Sequence, residues 1–172
     1  MRIFGLAGWS GSGKTTLLTA LIPELTAQGL TVSTVKHAHH DFDIDRPGKD
    51  SWRHRDAGAR EVMVASARRW ALMHELRDTP EPPLDALLAH MSPVDLVLVE
   101  GFKRHTHPKL EIYRPSVGKP PLHPDDPDIL AIACDEPIEA PLPLLPLTDV
   151  PRIARFIIDA AIGRAGEAPW RS

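Results

Sequence analysis

A chain of 172 residues has the usual length of one domain, long enough to bury a core without disulfides or a structural metal. Hydrophobic residues make up 42% and charged residues 25%, which excludes a disordered or fibrous chain. The formal net charge of -3 excludes a protein that coats nucleic acid non-specifically, since that needs a basic excess, so any anion site has to be local. Cys134 is the only cysteine, which rules out an internal disulfide and a multi-cysteine zinc site and fits a reducing compartment such as the cytoplasm. The apolar run from Ile3 to Ala7 is too short for a secretory signal, and no stretch reaches the ~18 apolar residues of a membrane span. A soluble protein without a membrane or nucleic-acid partner is expected.

In chain order, Arg2 to Ala7 reads as a buried strand that runs into a glycine-rich turn. Leu17, Leu18, Leu21, Ile22 and Leu25 recur at helical spacing, predicting a helix from Lys14 to Ala27 with Gly29 as its stop and Pro23 as a point of kinking. Leu30 to Lys36 alternates and is rich in β-branched residues, so a second strand completes a βαβ unit. Residues 37 to 50 form a polar loop, after which Asp50 or Ser51 caps a short helix ending at Gly58. Val62 to Ala65 and Trp70 to Leu76 are expected to pair around Arg68 and Arg69. A helix over Leu84 to Met91 leads into a central strand at Val94 to Val99. Strands follow at Leu110 to Tyr113, Ile129 to Cys134 and Leu144 to Leu147, and an amphipathic helix over Val150 to Ile162 closes the chain. The expected class is α/β: a three-layer P-loop NTPase with a mostly parallel sheet and an added antiparallel β segment, one nucleotide-binding domain over residues 1–172.

The P-loop is the strongest motif. Gly8-Trp9-Ser10-Gly11-Ser12-Gly13-Lys14-Thr15 satisfies G-x-x-x-x-G-K-[ST] between the first predicted strand and helix, where such a loop has to lie. Glycines let backbone N–H groups turn toward phosphate oxygens, and the positive end of the helix adds an anion site. Lys14 is expected to reach the β- and γ-phosphates and to face solvent before a ligand arrives. Thr15 is expected on Mg²⁺ and Thr16 on a phosphate nearer the sugar. A dinucleotide fold does not fit, because the glycine spacing departs from G-x-G-x-x-G and Lys14 has no role there.

A carboxylate stands at each end of the strand Asp95 to Glu100. Five steps of ~3.3 Å separate them, and ligands of parallel sheets bind at the carboxyl ends of strands, so Glu100 is the candidate for the Mg²⁺ shell and Asp95 a cap or surface residue. Gly101 allows a close turn there, followed by Lys103 and Arg104. The loop after the second strand faces the same mouth. Its Asp43 and Asp45 are candidate catalytic residues that hold a Mg²⁺-bound water or orient the attacking one, a reading that stands beside that of a solvated polar loop. His37, His39 and His40 suit zinc or nickel, but no second cluster of ligands completes a set, which favours a polar or phosphate-contacting loop. Lys36, Arg46, Lys49, Arg53, Arg55, Lys103, Arg104 and Lys109 fall mostly around the same mouth and create a positive field there, or are individually solvated surface.

The loop Gly8 to Thr15, Val35-Lys36-His37 through His40, Asp43 and Asp45, Pro47-Gly48-Lys49-Asp50-Ser51, Ala57-Gly58-Ala59 and Leu98-Val99-Glu100-Gly101-Phe102-Lys103 together resemble the MobB family of molybdopterin-guanine dinucleotide biosynthesis adaptor proteins. The resemblance spans nearly the whole chain, including Pro108-Lys109-Leu110-Glu111 and Leu147-Thr148-Asp149-Val150. It implies a GTP-binding protein, at most a slow GTPase, that assists a MobA-like guanylyltransferase in attaching GMP to molybdopterin during molybdenum cofactor biosynthesis. It also implies a homodimer built partly through extended β segments, with phosphate and Mg²⁺ roles on Ser10 to Thr16 and Glu100. No N-K-x-D segment reads guanine. Asp149 or Asp135 is the candidate for that edge, against the alternatives of a helix cap and a turn residue. A nickel-insertion accessory GTPase and a small-molecule kinase are the competing readings of a P-loop beside a histidine loop.

Overall fold

The computed structural model describes residues 1–38, 42–102 and 105–163. In chain order the elements are β1 (Arg2–Ala7), α1 (Lys14–Ala27), β2 (Val32–Lys36), α2 (Asp50–Asp56), β3 (Glu61–Ala65), β4 (Trp70–His74), α3 (Leu84–Leu88), β5 (Leu96–Glu100), β6 (Lys109–Tyr113), β7 (Ile129–Cys134), β8 (Leu144–Pro146), α4 (Val150–Ala160) and β9 (Ile162–Gly163). They fall into two compact units, one of residues 1–37 with 91–172, the other of residues 38–90.

The larger unit is built on a sheet of order β2-β5-β1-β6-β7-β8, all parallel, with β9 antiparallel beside β1. β5 matches β1 along its length, Arg2 opposite Leu96 and Leu6 opposite Glu100. β6 starts only at the level of Gly5, and β9 takes the place beside Arg2 and Ile3 that β6 leaves open. β1 is thereby paired on both sides almost to its start, and β5 and β6 both end near the loop that follows it.

Alternation decides which residues enter the core. Phe4 and Leu6 of β1, Leu96 and Leu98 of β5, and Leu110 and Ile112 of β6 share one face, covered by Leu17, Leu21 and Leu25 of α1 and Ile153 and Ile157 of α4. The four-residue spacing of the α1 leucines keeps them on one stripe, and Phe4 meets Phe156 edge to face at 6.1 Å. Cutting Leu21 to alanine in this core would cost about 2–5 kcal/mol. α1 continues through Pro23 and ends in a Schellman motif: Gly29, at φ 87°, donates to the Thr26 carbonyl and Leu30 to that of Leu25.

The other face of the sheet buries Ile3, Val97, Val99 and Ile132, with polar residues set among them. Gly5 has no side chain there, and His107 and Lys109 pack over it. Lys109 is 1% exposed and pairs with Asp126 at 2.9 Å and Asp128 at 3.5 Å. This corrects its expected place in the positive mouth: its carboxylate partners hold it inside the fold. Glu111, fully buried, accepts from the backbone of Leu122 at 2.6 Å and of His123 at 3.0 Å and contacts His123 Nδ1 at 3.0 Å. The proline-rich segment after β6 is thus tied to the sheet through one carboxylate.

In the smaller unit β3 and β4 form an antiparallel hairpin, Glu61 opposite His74 and Ala65 opposite Trp70. Ser66 closes the turn, its hydroxyl accepting from the backbone of Arg68 and Arg69. Strict alternation leaves Met63, Trp70 and Leu72 on one face, 61%, 63% and 40% exposed. α2 begins after Lys49 without a side-chain cap, so Asp50 serves in the first turn instead of capping it. The predicted helix to Met91 ends at Leu88, and the predicted strand at Val94 begins at Leu96. No helix among the described residues is long and apolar enough to cross a membrane.

Candidate functional site

The turn between β1 and α1 is a glycine cradle. Gly8, at φ 150°, lies so close to its neighbours that a Cβ there would stand 2.6 Å from both the Ile112 carbonyl oxygen and Ser12 Oγ. Gly13, at φ 96°, is the residue before α1 and offers no side chain to cap it. The fourteen-residue helix therefore starts behind a residue without a capping side chain, an arrangement in which a helix start favours an anion. Ser12 Oγ is buried and has no hydrogen-bond partner among the described residues. Thr15 and Thr16 are exposed on the first turn.

Lys14 does not face solvent as expected. Its Nζ arches back to donate to the carbonyls of Gly8 at 3.0 Å and Trp9 at 2.8 Å, so the ammonium spans the loop. The carbonyls satisfy a cation that would otherwise be half-buried without an acceptor. Trp9 is fixed from outside, its indole Nε1 donating to the Pro120 carbonyl at 2.7 Å.

Glu100 ends β5 at the register of Leu6 and is 8% exposed. The turn after it is tight. Gly101 has φ 94° and Phe102 φ 49°, two left-handed residues in succession, and the Phe102 ring is buried against His37 at 4.8 Å and His105 at 5.2 Å. A non-glycine residue in this region costs on the order of 1 kcal/mol or more, which ring burial offsets. Glu100 and the Thr15 hydroxyl are both hard oxygen donors, so this donor set fits Mg²⁺. Asp95, at the opposite end of β5, accepts from Thr31 Oγ1 at 2.6 Å and from the Thr31 backbone at 2.7 Å, and these bonds hold its carboxyl below the usual range. It ties two strand starts together.

Beyond β6 and β7, Arg114 and Asp135 form an ion pair with Nε 3.4 Å from Oδ2. Asp149 precedes α4 and accepts from the Arg152 backbone at 3.2 Å, so it caps that helix. No pattern in the sequence singled out Arg114. The available signal was topological: a strand parallel to β1 ends at the same mouth, so the residue after Tyr113 has to arrive there.

In the smaller unit, Asp43 accepts two bonds from Arg55 Nη2, at 2.8 and 2.9 Å, and one from the Asp45 backbone at 2.9 Å. The Asp45 N–H foremost, then the guanidinium, holds the Asp43 carboxyl below its ordinary value. Asp45 accepts from Ser51 Oγ, and Arg55 also reaches Glu75 at 2.9 Å. The two residues read as catalytic, Asp43 and Asp45, thus share one arginine. His39, His40, Lys103 and Arg104 lie outside the described residues. Among the described residues, no group of three or more histidine, cysteine, aspartate or glutamate side chains is arranged to hold a metal ion.

Residues 3–135 match the family model described as molybdopterin guanine dinucleotide synthesis protein B. The chain is similar to the molybdopterin-guanine dinucleotide biosynthesis adapter protein of Escherichia coli strain K12, 44% identical over 160 residues and covering 91% of each chain. It is also similar to the adapter protein of the same description from Haemophilus influenzae, 46% identical over 158 residues, 90% of this chain and 86% of that one. A solved crystal structure described as molybdopterin-guanine biosynthesis protein B aligns with a TM-score of 0.71 at 30% identity, covering 91% of this chain and 98% of the other.

Proposed function

The chain belongs to the molybdopterin guanine dinucleotide synthesis protein B family, and on that footing we propose that it is a GTP-binding adapter in molybdopterin guanine dinucleotide biosynthesis. The observation that carries the nucleotide part is the glycine cradle in front of α1, spanned by Lys14. Backbone N–H groups of Ser10 to Thr16 take the phosphates. Lys14 exchanges the Gly8 and Trp9 carbonyls for β- and γ-phosphate oxygens, and Thr16 serves a phosphate nearer the sugar. Thr15 and Glu100 hold Mg²⁺, which supplies charge neutralisation on the phosphates when bound. Asp149, which precedes α4, and Asp135, which follows β7, are the carboxylates proposed to accept from a guanine edge.

Turnover is slow in this reading, and Asp43 and Asp45 are the residues proposed to orient the attacking water. Asp43→Asn should then lower GTP turnover without changing GTP affinity, and an unchanged turnover removes the role. The partner is a MobA-like guanylyltransferase acting on molybdopterin or molybdenum cofactor in the cytoplasm. The adapter itself is a homodimer, supported by the apolar face of Met63, Trp70 and Leu72, which a second copy would cover. The whole of residues 1–172 serves as one nucleotide-binding domain with the hairpin unit inserted between β2 and β5.

The test is reconstitution of GMP attachment by the guanylyltransferase with molybdopterin and Mg-GTP. Added protein should raise the yield or rate, and Lys14→Ala should not. Equal stimulation by both would remove nucleotide binding from the adapter's role.

A further inference from the structure

We propose that Arg114 is a nucleotide-binding residue that holds the phosphate nearest the nucleoside, with Asp135 keeping its guanidinium in place. The proposal rests on the triphosphate reading of the loop and assigns a ligand contact on the flank opposite Glu100.

Arg114 follows the last residue of β6, and β6 runs parallel to β1, so its backbone emerges beside the glycine cradle. From the position of a Cβ built on Gly13, Arg114 Nη2 lies 3.4 Å away, Cζ 3.5 Å and Nε 3.6 Å. Three nearly equal distances mean that the flat guanidinium faces Gly13, the residue immediately before the helix start. The absence of a side chain on Gly13 is what admits it.

The arginine is incompletely satisfied where it stands. Nε is buried and makes no aligned hydrogen bond among the described residues, and Asp135 Oδ2 at 3.4 Å supplies charge without that alignment. The side chain is still 37% exposed, so solvent and a ligand can reach part of it. A planar guanidinium whose Nε donor is unused, held by a carboxylate beside the start of α1, is suited to donating to a phosphate oxygen in the plane of its fork.

Sheet order sets which phosphate. β1 lies between β5, which carries Glu100, and β6, with β7 beyond it. A triphosphate with its Mg²⁺ end toward Glu100 and its β-phosphate over Lys14 has its nucleoside end toward β6 and β7, the flank where Arg114 and Asp135 stand. The matching ligand chemistry is the α-phosphate shared by GTP and GDP.

The test is calorimetric affinity for Mg-GTP and Mg-GDP in the full chain, its Arg114→Ala and Arg114→Lys variants, and Lys14→Ala. Arg114→Ala should weaken GTP and GDP alike by roughly tenfold to a hundredfold, the range of a charge-assisted hydrogen bond. Its melting temperature without nucleotide should stay close to that of the parent. Arg114→Lys keeps the charge beside Asp135 but loses the fork, so its affinities should fall between the two, and it carries the comparison if the alanine variant fails to fold. Affinities within twofold of the parent for both nucleotides would overturn the proposal. A loss confined to GTP would overturn it too, since that places the arginine on the γ-phosphate. If Lys14→Ala loses GTP while Arg114→Ala does not, only this proposal fails; if the unsubstituted protein binds no GTP, the triphosphate reading fails with it.

Discussion

His37 stands against Gly101 so closely that a Cβ on the glycine would lie 2.7 Å from His37 Cβ, while the His37 backbone donates to the Glu100 carbonyl at 2.8 Å. The ends of β2 and β5 are locked together at the point where Glu100, the carboxylate proposed for Mg²⁺, leaves the sheet. Gly101→Ala meets both this contact and the left-handed φ of 94°. It should lower stability by about 1–3 kcal/mol and weaken Mg-GTP binding more than Mg-free GTP binding. Equal effects with and without Mg²⁺ would separate the turn from the metal.

Glu111 is predicted to be a structural anchor for the loop that holds Trp9. Glu111→Ala leaves the Leu122 and His123 donors without their acceptor inside the fold, and each such group costs about 1–3 kcal/mol. Denaturant unfolding should show a loss of several kcal/mol. Glu111→Gln keeps one carbonyl acceptor and should lose less. Similar stabilities of the alanine variant and the parent would contradict the network.

His107 makes the fold acid-sensitive in a defined window. Burial first, then the neighbouring Lys109 charge, lowers its pKa from 6.5 to about 4. Between those values the unfolded chain binds the proton and the folded one does not, so stability falls as pH drops from 6.5 toward 4 and is regained as pH rises. The loss is on the order of 2–3 kcal/mol at the acid end. His107→Phe, with a ring of similar size over Gly5, should flatten that part of the stability profile. A profile unchanged by the substitution would assign the acid loss to other groups.

Solution size offers a check on the hairpin. If Met63, Trp70 and Leu72 are covered by a second copy, Trp70→Glu should shift sedimentation from dimer to monomer. A dimer that survives the charge would place the interface elsewhere.

The sequence was most legible where one residue type has one physical use. The run Gly8 to Thr15 between an apolar strand and a leucine-striped helix marked the candidate site, and α1 occupies the predicted span Lys14–Ala27. Glu100 could be separated from Asp95 because a parallel sheet has a carboxyl end. Features that depend on strand neighbours were less readable. Lys109 looked like surface charge because the two aspartates that bury it lie 17 and 19 residues further on. Arg114 carried no motif and acquires meaning only when β6 is set beside β1. Lys14 folds onto its own loop because backbone carbonyls come within reach only once the glycines have turned the chain. The hairpin pattern was visible, but its Arg55 network depends on Asp43, Asp45 and Glu75 meeting one guanidinium.

The central claim is tested most directly by titrating Mg-GTP into the folded protein and into Lys14→Ala by calorimetry. The substitution removes two donations to loop carbonyls, a stability cost of about 1–2 kcal/mol that should leave the fold intact. The unsubstituted protein should bind one nucleotide per chain, and the variant should show no measurable binding. A folded Lys14→Ala protein that retains the parent's affinity, or a parent that gives no heat and no thermal shift with GTP, would contradict the account.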